Sequence, residues 1–278
     1  MNFNFKIITD SCCDLPNKFI EKIDIAPMTL TFDGKSYKDL ININKNQFYD
    51  LLTTCSQSPK SAAPSPADYL NKIKNNKNAF IITVSSALSS SFNNAKLTKE
   101  MCTDTISNKA VHVIDSLNAS IGQGLAVLKL KELISKNIPE KKVIKHMNDY
   151  IKNLNTFFIL EKMDNLINSG RLNKVIGKIV SVLNIKLIMR KTEEGTIELY
   201  KKVKGSKKAF NKLVDIIGKQ DKNLKDNILG IAHYNCRNKA EKFRKVVEEK
   251  YNFEDIIITQ MGPTIATYAD EGALLISF

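Results

Sequence analysis

The chain has 278 residues, 43% hydrophobic and 26% charged, with a formal net charge of +13. That length and balance suit one large or two medium globular domains with a substantial core. Lys6 and Asp10 interrupt any apolar leader, so a secretory signal is not expected.

Residues 5–8 read as a short apolar strand running into Thr9-Asp10-Ser11. Residues 23–32 read as a second strand, which meets the hairpin signal Asp33-Gly34 and returns through 35–37. Helices are expected over 44–55 and 66–74. Residues 79–84 read as a strand that runs into Ser85, Ser86 and then Ser89-Ser90-Ser91, with a helix over 89–101. A strand at 111–114 ends in Asp115-Ser116 and precedes a helix over 120–135. Pro139 and the helically spaced Val143, Met147, Tyr150 and Ile151 mark a further helix, expected to bridge the two halves.

From Thr156 the pattern changes. A strand over 156–160 leads to a short helix ending at Ser169-Gly170. A helical stretch over 175–183 precedes a strand at 186–190, and Glu194-Gly195 turns the chain into 196–201. A helix at 206–217, a strand at 227–233, a helix at 237–250 and a strand at 255–258 follow. The expected fold class is α/β in two domains. Residues 1–154 form a parallel-sheet domain and residues 155–278 a mixed-sheet domain.

Ligands of parallel sheets bind beyond the carboxyl ends of the strands. The tips Thr9-Asp10-Ser11, Ser85-Ser86 with Ser89 to Ser91, and Asp115-Ser116 therefore converge on one place, suited to an oxygen-bearing head group. The competing reading is that these residues cap the helices that follow. Asp10 and Asp115 could pair as acid and base, or hold hydroxyls and amides in place. His233, at a strand end, is the best base for a nucleophilic serine, and a core histidine is the alternative. Asp14 reads as a cap for a helix near Leu15-Pro16. Arg171 reads either as a cation on helix carbonyls or as an exposed anchor.

No nucleophile elbow, phosphate loop or HExxH is present. Gly122-Gln123-Gly124 is only a fragment of GxGxxG, lying in or near a helix, and Val127 holds the third glycine position. Cys12, Cys13, Cys55, Cys102 and Cys236 contain no CxxC pair and suit free thiols in a reducing cytoplasm. His112, His146 and His233 have no metal-ligand spacing, so neither metal nor cofactor is expected. The apolar stretch 175–189 is interrupted by Lys178, Asn184 and Lys186 and is too short to cross a bilayer. The basic excess is mostly lysine spread along the chain; the arginines are Arg171, Arg190, Arg237 and Arg244. It reads as solvated faces, and no nucleic-acid partner is expected.

Motifs spread over the whole chain resemble the DegV family, which includes the fatty-acid-binding subunits of bacterial fatty acid kinase. They are Ile8-Thr9-Asp10-Ser11 with Asp14-Leu15-Pro16, Ala26-Pro27-Met28, and Asp33-Gly34 through Asp39. Ser61-Ala62-Ala63-Pro64-Ser65-Pro66, Ser85 to Asn94, and Asp115-Ser116 with Gly122 and Gly124 follow. Leu166 to Arg171, Lys186, Lys204-Gly205 and the Gly262-Pro263 to Gly272 segment complete the series.

The resemblance implies a non-catalytic cytoplasmic carrier that holds a long-chain fatty acid, such as palmitate or oleate, in an inter-domain tunnel. It presents the acid to a kinase subunit, with transient membrane contact allowed. It implies that Ser61, Ser89, Ser91 and Tyr268 bind the head group. Thr9, Asp10, Ser11, Ser85, Ser86, Asp115 and Ser116 support them, and Arg171 lies near the kinase-docking face. Tyr268 stands where the family has histidine, followed by Asp270-Glu271-Gly272 in place of Gly-Pro-Gly. The rival expectation is a hydrolase or phosphotransferase built on the strand-tip Asp and Ser groups.

Overall fold

A computed structural model describes residues 5–43, 45–73, 78–105, 110–161, 163–172, 184–220 and 223–278. The helical stretch expected over 175–183 lies outside the described residues.

Four parallel strands form the first sheet, in the order β2 (Ile23–Ala26), β1 (Phe5–Asp10), β6 (Asn78–Thr83) and β7 (Ala110–Asp115). Their cores are short apolar runs such as Ala79 to Ile82, each fully buried, as strands covered on both faces require. Between them run α1 (Asn17–Ile20), α2 (Lys45–Thr54), α3 (Pro66–Ile73) and α4 (Ser91–Thr105). Because β1, β6 and β7 are adjacent and parallel, Asp10, Thr83 and Asp115 end on one edge.

The single strand expected over 23–32 is two strands. Pro27 lacks the N–H that a continuing ladder needs, and β3 (Thr29–Phe32) leaves the parallel sheet. It joins an antiparallel sheet of order β4 (Lys35–Lys38), β3 and β5 (Lys60–Ala62). Asp33 and Gly34 both have positive φ, 44° and 80°, as a tight two-residue hairpin demands. The short edge strand β5 escaped the sequence reading, and it carries Ser61 opposite Leu30.

The second lobe holds a six-stranded mixed sheet. Its order is β10 (Ile197–Lys204), β9 (Ile185–Lys191), β8 (Thr156–Ile159), β13 (Leu274–Ser277), β11 (Ile228–His233) and β12 (Asp255–Gln260). Only β11 and β12 pair in parallel. Around it lie α7 (Asp164–Asn168), α8 (Ser206–Ile217), α9 (Arg237–Lys250) and α10 (Pro263–Ala269), taking α5 and α6 as the helices before β8. The chain's last strand, β13, sits at the sheet's centre and was absent from the sequence expectation.

The helix lying between the lobes is α5 (Ser120–Ser135), not the one after Pro139. α5 is apolar around most of its surface, which suits a helix covered on all sides. It packs on β1 and β6 of one sheet and on β11 and β13 of the other. Gly230 on β11 allows that approach, because a side chain there would collide with Ile121. α6 (Glu140–Asn153) instead packs against α5 and buries only its Val143, Met147 and Ile151 stripe.

Candidate functional site

An apolar cavity lies at the junction of the lobes, with about 940 Å3 of empty space including its mouth. The first lobe contributes Cys12, Met28, Val84, Leu88 and the loop from Leu117 to Ser120. The second contributes Thr156, Phe158 and Leu160, with Ile197, Met261 and Ile265. Alternate residues of a strand share a face, so β8 lays Thr156 and Phe158 along the wall.

Polar side chains gather at one corner. Ser61 Oγ and the Tyr268 phenol lie 2.7 Å apart across the lobe junction. The Arg171 guanidinium stands 5.4 Å from the centre of the Tyr268 ring. Arg171 Nε donates to the Leu88 carbonyl at 3.1 Å, and Nη1 donates to the Ser169 carbonyl at 3.0 Å. Ser89 follows Leu88, lines the same cavity, and its Oγ accepts the Ser91 N–H at 3.2 Å. Ser61, Ser89, Arg171 and Tyr268 are all partly buried. The body of the cavity is lined by apolar side chains, and its hydroxyl corner offers hydrogen-bond donors suited to an oxygen-bearing group.

The strand tips form a separate buried network. Asp10 Oδ1 accepts the Cys12 N–H at 3.1 Å and the Gln123 amide at 2.9 Å. Asp10 Oδ2 accepts the Val84 N–H at 2.8 Å and the Ser91 hydroxyl at 2.5 Å. The Tyr69 phenol lies 2.6 Å from Ser91 Oγ, and Gln123 also donates to Thr9 Oγ1 at 2.9 Å. Burial pushes the Asp10 carboxyl up, and these donors pull it back. Ser91, expected at the head group, is fully buried and is not among the cavity's lining residues, because its hydroxyl is engaged by Asp10 and Tyr69.

The remaining tip residues are also engaged. Ser11 Oγ accepts the Met28 N–H at 3.0 Å. Ser85 Oγ donates across the junction to the Gly195 carbonyl at 2.8 Å. Asp115 accepts from the Ser86 and Leu117 N–H groups, and Ser116 Oγ donates to the Asn118 carbonyl. His233 is buried at the end of β11 and is not part of the cavity wall.

Asp14 does not cap α1. Its Oδ2 accepts the Ser120 hydroxyl at 2.6 Å and its Oδ1 the Gly262 N–H at 2.8 Å. Burial pushes its carboxyl up to about 7. Asp270 and Glu271 are not among the lining residues, and Glu271 accepts from Asn235 at 2.8 Å. Gln123 and Asn118 went unread; a polar residue inside the otherwise apolar α5 was the available signal for Gln123. Thr264 also went unread.

Among the described residues no group of three or more His, Cys, Asp or Glu side chains is arranged to hold a metal. Among them no helix is long and apolar enough to cross a membrane.

The chain is similar to known proteins over nearly its whole length. The model of the DegV family, described as an uncharacterised protein family, matches residues 4–278. A DegV domain-containing protein of Streptococcus pneumoniae is 32% identical over 278 residues, covering 99% of this chain and 98% of that protein. A DegV family crystal structure from Ruminococcus gnavus, refined with vaccenic acid, is 28% identical, with TM-score 0.92 over 99% of both chains. The Streptococcus pneumoniae Fatty Acid Kinase B3 protein loaded with linoleic acid is 32% identical, with TM-score 0.91, covering 99% of this chain and 98% of that one.

Proposed function

Because the chain belongs to the DegV family, we propose that it binds one long-chain fatty acid and presents it to a kinase subunit without catalysing the chemistry itself. The observation that carries this reading is the apolar inter-lobe cavity ending in the Ser61–Tyr268 pair. Burying about fifteen methylenes at ~0.8 kcal/mol each offers roughly 12 kcal/mol of gross driving force. A buried carboxylate needs compensating donors, and charge-assisted hydrogen bonds at about 1.5–3 kcal/mol each supply them.

In this reading Ser61, Ser89 and Tyr268 meet the head group directly. Ser91 and Asp10 hold the Ser89 loop in place, Thr9 holds Gln123 of α5, and Ser85, Ser86, Asp115 and Ser116 hold the neighbouring loops. Arg171 has two parts to play. One side of its guanidinium lines the cavity beside Tyr268, and the loop carrying it is the docking face that family resemblance implies. In this reading the chain divides at 154/155, with the acid held between the two lobes. The linoleic and vaccenic acids of two relatives support a long acyl chain as ligand.

Organic extraction of freshly purified protein followed by mass spectrometry tests this. The expected result is a fatty acid of about sixteen to eighteen carbons, with a thermal shift on adding palmitate or oleate. Lipid-free extracts together with no thermal shift would refute the carrier reading. The hydrolase alternative gains nothing from the geometry, because the oxygens of Asp10 are already taken by Cys12, Val84, Ser91 and Gln123.

A further inference from the structure

The wall segment that carries Tyr268 is held by both lobes. α10 follows β12 in the second lobe and supplies Thr264, Ile265, Tyr268 and Ala269 to the cavity. Two carboxylates of the first lobe grip the segment that leads into it. Asp14 accepts the Gly262 N–H at 2.8 Å. Asp39 Oδ2 accepts the Thr264 N–H at 3.2 Å and the Thr264 hydroxyl at 2.5 Å. Asp14 is 5% exposed and Asp39 is fully buried. A side chain at Gly262 would press on Asp14 Oδ1 at 3.0 Å, so the backbone itself lies against the carboxylate.

We propose that Asp14 and Asp39 are positioning residues that latch α10 onto the first lobe, set the Tyr268 hydroxyl beside Ser61, and govern how fast a bound acyl chain leaves. The proposal rests on the fatty-acid reading of the cavity. A head group held at the Ser61–Tyr268 corner leaves when that corner lets go, and α10 carries the Tyr268 half of it. Moving α10 breaks the Asp14, Asp39 and Ser61 hydrogen bonds together. Each of those hydrogen bonds favours the closed arrangement, because its donor and acceptor must exchange it for new partners when α10 moves.

Titration supplies a signature that a merely structural contact lacks. Burial pushes the Asp14 carboxyl up to about 7, Asp39 adds to the rise, and the Ser120 hydroxyl and Gly262 N–H oppose it. Asp39 is itself raised, chiefly by burial. Cys12 and Cys13 face Asp14 from its own loop, with Asp10 acting on both thiols, and burial pushes both thiols up. Opening the latch returns Asp14 to water, where a carboxyl titrates near ~4. The closed state therefore binds the proton more tightly. Its advantage is complete below about pH 4 and declines up to about 7, so release speeds up across that window and levels off above it.

The experiment loads the protein with fluorescently labelled palmitate and follows transfer to phosphatidylcholine vesicles between about pH 5 and 8. Asp14→Ala and Asp39→Ala should each release lipid about tenfold faster than wild type at about pH 6. Asp14→Asn still accepts from Gly262 and can donate to Ser120, as the protonated acid does. It should release within about threefold of wild type there and lose the part of the pH slope that Asp14 supplies. The lipid carboxyl titrates in every variant, so the difference between slopes isolates Asp14. Wild-type release rates in both alanine variants, or an unchanged slope in Asp14→Asn, would overturn the latch. If the alanine variants do not fold, the Asp14→Asn slope decides alone. Failure of wild type to take up palmitate at all is a separate result, which removes the fatty-acid reading and the latch with it.

Discussion

Two hydroxyl-bearing regions lie side by side at the lobe junction, and they are built for opposite purposes. Around Asp10, hydrogen-bond donors from Cys12, Val84, Ser91 and Gln123 close on one carboxylate, which is wholly buried. Around Ser61, the Tyr268 phenol is the facing partner and the cavity opens beside it. In the first region the Asp10 carboxylate oxygens are fully engaged and hold loops in place. The second retains capacity, since two facing hydroxyls share one hydrogen bond and each keeps a further donor or acceptor position. Nearness to a strand tip therefore does not make a hydroxyl a ligand group; what matters is whether its hydrogen bonds are already made.

Breaking the Asp10 region should have the largest effect. Asp10→Ala strands the Val84 and Cys12 N–H groups and the Ser91 and Gln123 donors, and should cost about 3 kcal/mol or more of stability. Urea unfolding monitored by circular dichroism would show it as a lowered midpoint, and a midpoint near wild type would mean the network is dispensable. Next come Ser61→Ala and Ser89→Ala, each expected to weaken palmitate binding by roughly 1–3 kcal/mol with little change in unfolding midpoint. Unchanged affinity in both would move the head group elsewhere.

Tyr268→Phe removes only the phenolic oxygen and should weaken binding by roughly 1–2 kcal/mol, measured by calorimetry. A bound structure with that oxygen far from the lipid carboxylate, and no water between, would reduce the residue to a space-filler. Smallest on affinity is Arg171→Ala, at about 1 kcal/mol, because part of the guanidinium is engaged by the Leu88 and Ser169 carbonyls. Transfer with a cognate kinase should fall further than affinity does. Equal losses in the two assays would confine Arg171 to the lipid site.

Thermal stability carries the same contrast into pH. Folding raises the Asp10, Asp14 and Asp39 carboxyls, so their contribution is present below about pH 4 and is lost as pH rises through the folded values. Asp68 and Glu161 are lowered, each against its burial. Hydrogen bonds from Lys38 and Ser65 hold Asp68 down, and those from Lys186 and Lys239 hold Glu161 down. Their contribution works in the opposite sense, disappearing in acid. For Asp14→Asn, the melting temperature should fall less than wild type's between about pH 5.5 and 8. An identical fall would assign that pH dependence to other groups.

Much of this was legible in the chain alone. Apolar runs of four to six residues ending in Thr, Ser or Asp announced β1, β6 and β7, because strands buried on both faces need continuous hydrophobicity. The Asp33-Gly34 turn and the Val143, Met147, Ile151 stripe were equally local, since each follows from backbone conformation or helical period. Ser61 and Tyr268, by contrast, are 207 residues apart, and no local rule brings them together. Only the packing of α10 against the first lobe does that. The break after Ala26 follows locally from Pro27, whereas the edge strand β5 and the central β13 depend on the distant strands they pair with. Asp14 shows the limit most plainly. Its sequence context, just before a proline, is that of a helix cap, yet its partners lie on α5 and before α10. A carboxylate takes the donors that folding brings to it, and those donors came from the other lobe and from the helix between the two.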